Sequence, residues 1–256
     1  MTNLTTDNVA IFLDFDGTLV DFAPSPDAVE VSEQLVQDLK ALSRQLQGAI
    51  AIVTGREYSI LSALLDVSHM ICACEHGSDI VVPPEKNQTP HTLAEQMDAE
   101  SSPLSSEQQV DVRETVNRYA NEKVLRSEAK RTSVTLHYRT KPELEGEVLG
   151  FAESLCQQFP GMELLKGKCV VEFRFTAKNK GTAIQTLMSA FPFNGRTPIF
   201  IGDDVTDEFG FKLVNELQGI SIKVGEGDTC ASHQMDSVQD VQKFLSAIVQ
   251  TGDVTL

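Results

Sequence analysis

The chain has 256 residues, 41% of them apolar and 23% charged, enough to bury a sizeable core and too apolar for a disordered protein; the length suits one large domain or a domain carrying an insertion. A formal net charge of -16 argues against a general binder of nucleic acid or of anionic membranes, which both favour clustered Lys and Arg. The opening residues lack a basic stretch followed by a long apolar run, no apolar run nears the roughly 20 residues that span a bilayer, and the five cysteines include no CxxC pair, so a cytoplasmic protein with reduced thiols is expected.

Residues 9–15 (VAIFLDF) are a short apolar run ending in acids, the pattern of a buried parallel strand delivering polar residues at its C-terminal end. Val31, Leu35, Leu39, Leu42 and Leu46 recur every three or four residues, which predicts a helix stopped at Gly48. Two more buried strands, 49–53 and 70–74, run into Thr54-Gly55-Arg56 and Glu75-His76-Gly77. Residues 83–107 are polar and proline-bearing and read as a connection. The alternation of SVTLHYR and CVVEFRF, on either side of a helical stripe through Leu144, Val148, Leu149 and Phe151, predicts a half-exposed antiparallel sheet. The first pattern then returns: a helix through Ala183, Ile184, Leu187, Met188 and Phe191, a strand at 198–202 ending in GDDVTDE, a helix at 206–217, the strand ISIKVG, and a last helix through Val238, Val241, Phe244, Leu245 and Ile248. The expectation is an α/β fold: a doubly wound parallel sheet built from 1–83 and 178–256, with a smaller α/β domain, 84–177, inserted into it. Ligands of such sheets bind beyond the strands' carboxyl ends, where every polar motif named here falls.

Asp14 and Asp16 end a strand, and Gly17 permits the sharp turn that lets both face one cavity. One carboxylate can attack phosphorus while the other protonates the leaving oxygen and then activates water. Carboxylates facing a phosphate dianion need a hard divalent cation, which favours oxygen ligands; Asp203 and Asp204 are the natural further ligands, and Asp207 is placed to orient them. Thr54 offers a hydroxyl and a backbone N–H, and Lys180 an ammonium, to the transferring phosphoryl group. His76 and His137, which titrate near neutrality when unperturbed, are read as a hinge hydrogen bond and a strand-face contact, not as acid or base.

DFDGTL at 14–19, Thr54, Lys180 and GDD at 202–204 resemble the four ordered motifs of the haloacid dehalogenase (HAD) superfamily of aspartate-nucleophile phosphatases, and an insert between the Thr and Lys motifs resembles its C2-type cap. Thr54-Gly55-Arg56, Glu75-His76-Gly77, LHYR at 136–139, GKCVVE at 167–172, NKG at 179–181 and GDDVTDE at 202–208 extend the resemblance over nearly the whole chain to the trehalose-6-phosphate phosphatase family. It implies Asp14 as nucleophile, Asp16 as acid/base, Thr54 and Lys180 as phosphate ligands, and Asp14, Asp16 and Asp203 as Mg²⁺ ligands. In the cap it implies that Glu128, Lys130, Arg139, Lys168 and Glu172 grip the sugar. Beside His76 and His137, Arg56 is the stronger candidate for the site, either steadying the core carboxylates or reaching the closed cap.

Strand alternation puts Lys168, Val170, Glu172 and Arg174 on one face, and the positive charges of Lys130, Arg131, Arg139, Lys166, Lys168 and Arg174 collect in the same region, a local attraction for an anionic substrate on an acidic protein. The expected partner is a small sugar phosphate bound by a monomer, with neither nucleic acid nor membrane. Fold-level likeness leaves open a phosphatase of another sugar phosphate, such as sucrose phosphate or mannosyl phosphoglycerate, and a sugar-phosphate sensor without turnover.

Overall fold

The computed structural model describes residues 4–23, 29–83, 91–92 and 102–255. The chain divides into two compact units, Met1–Ala94 with Lys178–Leu256, and Glu95–Ala177. The polar stretch 83–107 crosses this division, and its residues 84–90 and 93–101 lie outside the described ones.

In the first unit the chain runs through β1 (Val9–Leu13), α1 (Glu33–Gln45), β2 (Ile50–Val53), α2 (Tyr58–Leu64), β3 (Ile71–Cys74), β4 (Asp79–Val82) and β5 (His91–Thr92). The second unit holds α3 (Ser106–Lys123), β6 (Arg126–Ala129), β7 (Ser133–His137), α4 (Glu145–Gln158), β8 (Glu163–Gly167) and β9 (Val170–Arg174). The first unit then resumes with α5 (Lys180–Met188), β10 (Thr197–Gly202), α6 (Glu208–Glu216), β11 (Ile220–Val224), β12 (His233–Met235) and α7 (Val238–Thr251).

The first unit's sheet has the order β12-β11-β10-β1-β2-β3-β4-β5 and is parallel from β12 to β3, with β4 and β5 antiparallel at one edge. All five residues of β1 and all four of β2 are buried, because helices cover both faces of a doubly wound sheet and leave no polar side. In α1, Leu35, Leu39 and Leu42 are buried, and the helix starts at Ser32, whose hydroxyl accepts the Leu35 N–H.

The second unit is a four-stranded antiparallel sheet, β6-β7-β9-β8. Its apolar face, with Val134, Leu136, Val171 and Phe173 buried, packs with Val112 and Val116 of α3 and Val148 and Ala152 of α4. The sheet's sides alternate as expected, with two corrections. Lys168 belongs to the two-residue turn between β8 and β9, where Cys169 has φ 58°, so it is not a strand-face residue. Arg174 is 2% exposed and bonded to Glu163 at 2.9 Å, and Lys166 pairs with Glu153 at 2.9 Å; part of the expected positive charge is answered within the unit. Among the described residues no helix is long and apolar enough to cross a membrane.

Truncating a fully buried ring in a closed core removes its transfer energy and leaves a cavity. Phe173→Ala is therefore expected to cost about 3–5 kcal/mol of unfolding free energy in urea titration, and a cost below about 1 kcal/mol would contradict this packing.

Candidate active site

Each core motif leaves the sheet at a strand's carboxyl end. β1 passes into Asp14, whose N–H donates to Ile201 O of β10 at 2.9 Å, so the carboxylate is fixed relative to the neighbouring strand that delivers Asp203. Gly17 comes three residues later with φ 77°, and a Cβ there would overlap the Asp203 carboxylate; only glycine allows both the turn and the approach. Gly202 is under a similar limit, since a Cβ would overlap the Asp207 carboxylate.

Lys180 opens α5 with 2% of its side chain exposed, and its Nζ lies 2.7 Å from Asp14 Oδ1 and 2.7 Å from Asp207 Oδ1. Asp207, fully buried, accepts the Asp203 and Asp204 N–H groups on its other oxygen at 3.1 and 2.9 Å. It thereby ties the Asp203-Asp204 loop to Lys180 and Asp14. The loop is also held from below by Lys223, whose Nζ donates to Asp203 O at 2.6 Å and to Val224 O at 2.8 Å.

Burial pushes the Asp14 carboxyl well above the ordinary carboxylate range, against the pull of Lys180 and reinforced by Asp207 and Asp203. Burial, with Asp207 beside it, likewise pushes Asp203 up to about 6. Burial alone would weaken the Lys180 ammonium, but Asp14 and Asp207 together outweigh it and raise its pKa.

Oxygens of Asp14, Asp203 and Asp207 lie within 4.8 Å of one another. Three hard oxygen donors in a partly dehydrated pocket, two of them reluctant to ionise without added positive charge, fit a divalent cation such as Mg²⁺. Both Asp207 oxygens already accept hydrogen bonds, so Asp14 and Asp203 are the carboxylates best placed to meet the ion. Two expected members stand outside this group. Asp16 is gripped by Arg56, Nε to Oδ2 and Nη2 to Oδ1, each at 2.6 Å, and the exposed Asp204 turns its Oδ1 to the Val205 N–H at 2.7 Å.

Thr54 is 1% exposed and directly follows β2. Its backbone N–H donates to Ala73 O at 2.9 Å, so the expected N–H donor to phosphate is spent on the sheet. The hydroxyl accepts the Arg56 N–H at 3.2 Å, which leaves its hydrogen for a ligand. A pocket of about 170 Å³ is lined by Asp14, Asp16, Thr54, Arg56, Lys180 and Asp203, together with His76, Phe22 and three further residues. It is smaller than the usual site for a drug-sized molecule and suits a phosphoryl group. His76, expected only to hydrogen-bond at a hinge, is also among the residues that line this wall.

In the second unit, Glu128, Thr135 and Glu172 stand in register across β6, β7 and β9 on one face. Glu172 accepts the Ser133 hydroxyl at 2.6 Å, with Lys130 Nζ 3.9 Å away. Glu128 Oε2 lies 3.5 Å from His137 Nε2, and burial lowers the His137 pKa although Glu128 opposes the shift. Lys168 and Arg139 are exposed, the first in its turn and the second beyond the end of β7.

The family model for trehalose-phosphatase matches residues 12–243. The chain belongs to the trehalose-phosphatase family. It is 37% identical over 239 residues to the trehalose-6-phosphate phosphatase of Escherichia coli strain K12, covering 93% of this chain and 86% of that protein. It is 38% identical over 220 residues to a probable trehalose-phosphate phosphatase of Sinorhizobium fredii, covering 86% of this chain and 78% of the other. A crystal structure of a trehalose-6-phosphate phosphatase related protein superposes with a TM-score of 0.73 at 26% identity over 95% of this chain and 98% of that one. Trehalose-phosphatase family membership and this likeness make the first unit a HAD-like core and the antiparallel unit its insert.

Asp203 gives a sign that can be tested. Its carboxyl titrates higher folded than unfolded, so its stabilising contribution is complete below its ordinary pKa of 3.8 and is lost as pH rises through about 6. In EDTA at pH 7, Asp203→Asn is expected to melt above the parent by a difference on the order of 1–2 kcal/mol, and the gap should close towards pH 4. A metal-free variant melting below the parent at pH 7 would contradict the electrostatic account.

Proposed function

We propose that this protein hydrolyses trehalose 6-phosphate to trehalose and orthophosphate through an aspartyl-phosphate on Asp14, with Mg²⁺ as its cation. The observation that carries the reading is the buried Asp14–Lys180–Asp207 chain next to Asp203, in a member of the trehalose-phosphatase family.

An oxygen of Asp14 attacks phosphorus as the bond to the sugar oxygen breaks, and the Asp16 carboxyl gives that oxygen its proton. Water then loses a proton to Asp16 and attacks phosphorus, the bond to Asp14 breaks, and orthophosphate leaves. Lys180 anchors Asp14 Oδ1, which leaves Oδ2 as the attacking atom, and the Thr54 hydroxyl donates to a non-bridging oxygen. Arg56 must loosen its hold on Asp16 before that carboxyl can carry a proton; an arriving phosphate dianion supplies the guanidinium with a competing anion. Bound Mg²⁺ supplies the positive charge that lets Asp14 and Asp203 stay ionised beside that dianion.

The second unit, in this reading, selects the sugar. Glu128 and Glu172, with Lys130 beside them, offer acceptors and a donor on one sheet face for adjacent sugar hydroxyls. Lys168 and Arg139 are exposed, and the family resemblance assigns them to the same sugar grip.

The test is phosphate release from trehalose 6-phosphate, glucose 6-phosphate, sucrose 6-phosphate and p-nitrophenyl phosphate, each with Mg²⁺ and with EDTA. Turnover that favours trehalose 6-phosphate and disappears in EDTA is expected, with Glu172→Ala raising KM for trehalose 6-phosphate far more than for the aryl ester. Metal-dependent preference for another ester would remove the sugar assignment, and no turnover of any ester would favour a sensor.

A further inference from the structure

Three consecutive residues after β3 leave ordinary backbone space: Glu75, His76 and Gly77 have φ of 47°, 55° and 94°. Glycine adopts this region readily, whereas a side chain there meets the backbone, and such strain collects where a group has to be aimed. Neighbouring site segments hold the turn in place. The Glu75 N–H donates to Arg56 O at 3.0 Å and the His76 N–H to Thr54 O at 2.8 Å. Gly77 lies against the start of α5, where a Cβ would run into Asn179 O. The backbones of Thr54, Arg56 and the residue before Lys180 therefore all fix where His76 points.

Its ring lies over Gly55, in the space a Cβ would need, and His76 and Gly55 both line the pocket with Asp14, Arg56 and Lys180. An imidazole carries at least one N–H donor in every protonation state. Lys180 is held by Asp14 and Asp207, and Arg56 is held by Asp16 until an arriving anion competes for it. A phosphoryl group with three non-bridging oxygens has room for a donor beyond the Thr54 hydroxyl and a released Arg56 guanidinium.

We infer that His76 is a further substrate-binding residue, its ring N–H donating to a phosphoryl oxygen, and that the left-handed turn serves to aim it. The inference rests on the phosphatase reading but not on the identity of the sugar.

His76→Asn removes the ring while keeping a residue that tolerates positive φ well, and His76→Gly also removes the strain. Both are compared with the parent protein in Mg²⁺ for turnover of trehalose 6-phosphate and p-nitrophenyl phosphate, competitive inhibition by orthophosphate, and Tm. The expected result is a fall in kcat/KM of about 10- to 100-fold on both esters, the worth of one hydrogen bond to a charged group, a comparable weakening of orthophosphate inhibition, and a Tm that holds in the Asn variant and holds or rises in the Gly variant. Folded variants with parental kinetics and parental orthophosphate inhibition would overturn the inference. So would a loss confined to trehalose 6-phosphate, which would put the contact on the sugar, or a lowered Tm with orthophosphate inhibition unchanged, which would make the role structural. Should the parent cleave only the aryl ester, the sugar reading fails while that ester and orthophosphate still decide the role of His76.

Discussion

The buried ammonium of Lys180 holds together carboxylates that would otherwise repel one another out of the fold. At an effective dielectric near 20, like charges at the outer limit of 4.8 Å that bounds this cluster cost about 3–4 kcal/mol per pair, and each 2.7 Å contact of Lys180 offsets about 6 kcal/mol. Two such contacts against three mutual repulsions come close to cancelling before burial is counted. Burial then tips Asp14 and Asp203 towards their neutral forms. Three carboxylates against one ammonium leave the core site two positive charges short of neutrality when all are ionised, the condition that favours a divalent cation bound together with an anionic substrate.

The rest of the first unit serves that cluster. Parallel strands bring β1, β2 and β10 side by side, so Asp14, Thr54 and Asp203, far apart in the chain, leave the sheet at the same edge. Gly17 and Gly202 remove the side chains that would keep the carboxylates apart. Asp207 converts the arrangement into one network, with one oxygen on Lys180 and the other on the Asp203 and Asp204 amides. Placing two adjacent carboxylates on a loop is costly unless its backbone is fixed, and the buried Lys223 on Asp203 O fixes it from the other side.

Much of this is legible in the sequence because buried parallel strands are short apolar runs, and the residues just beyond the end of such a run lie on the ligand-binding edge. Asp14, Thr54 and Asp203 stand out in that way, and the alternation of β7 and β9 reveals the second sheet. The elements that escape notice have weak patterns. β6 (RSEA) and β8 (ELLKG) are edge strands without a run of β-branched residues. The 18 residues of α3 bury only Val112, Val116 and Ala120, too narrow a stripe to stand out beside the polar stretch that precedes it. The remaining misses are pairings between distant residues. No local signal says that Ala73 will take the Thr54 N–H or that a left-handed turn will set His76 at the pocket wall, whereas the expected steadying of a core carboxylate by Arg56 is the contact it makes with Asp16. Such features belong to the folded chain, and they decide which donors remain for substrate.

The central claim is that Asp14, and no other group, takes the phosphoryl group. It is tested most directly by quenching the protein during turnover of trehalose 6-phosphate in Mg²⁺, reducing any acyl phosphate with borohydride, and sequencing the peptides by mass spectrometry. Homoserine at position 14, absent without substrate and absent in Asp14→Asn, is the result this account requires. Reduction at Asp16 or Asp203 instead, or sustained turnover by Asp14→Asn, would contradict it.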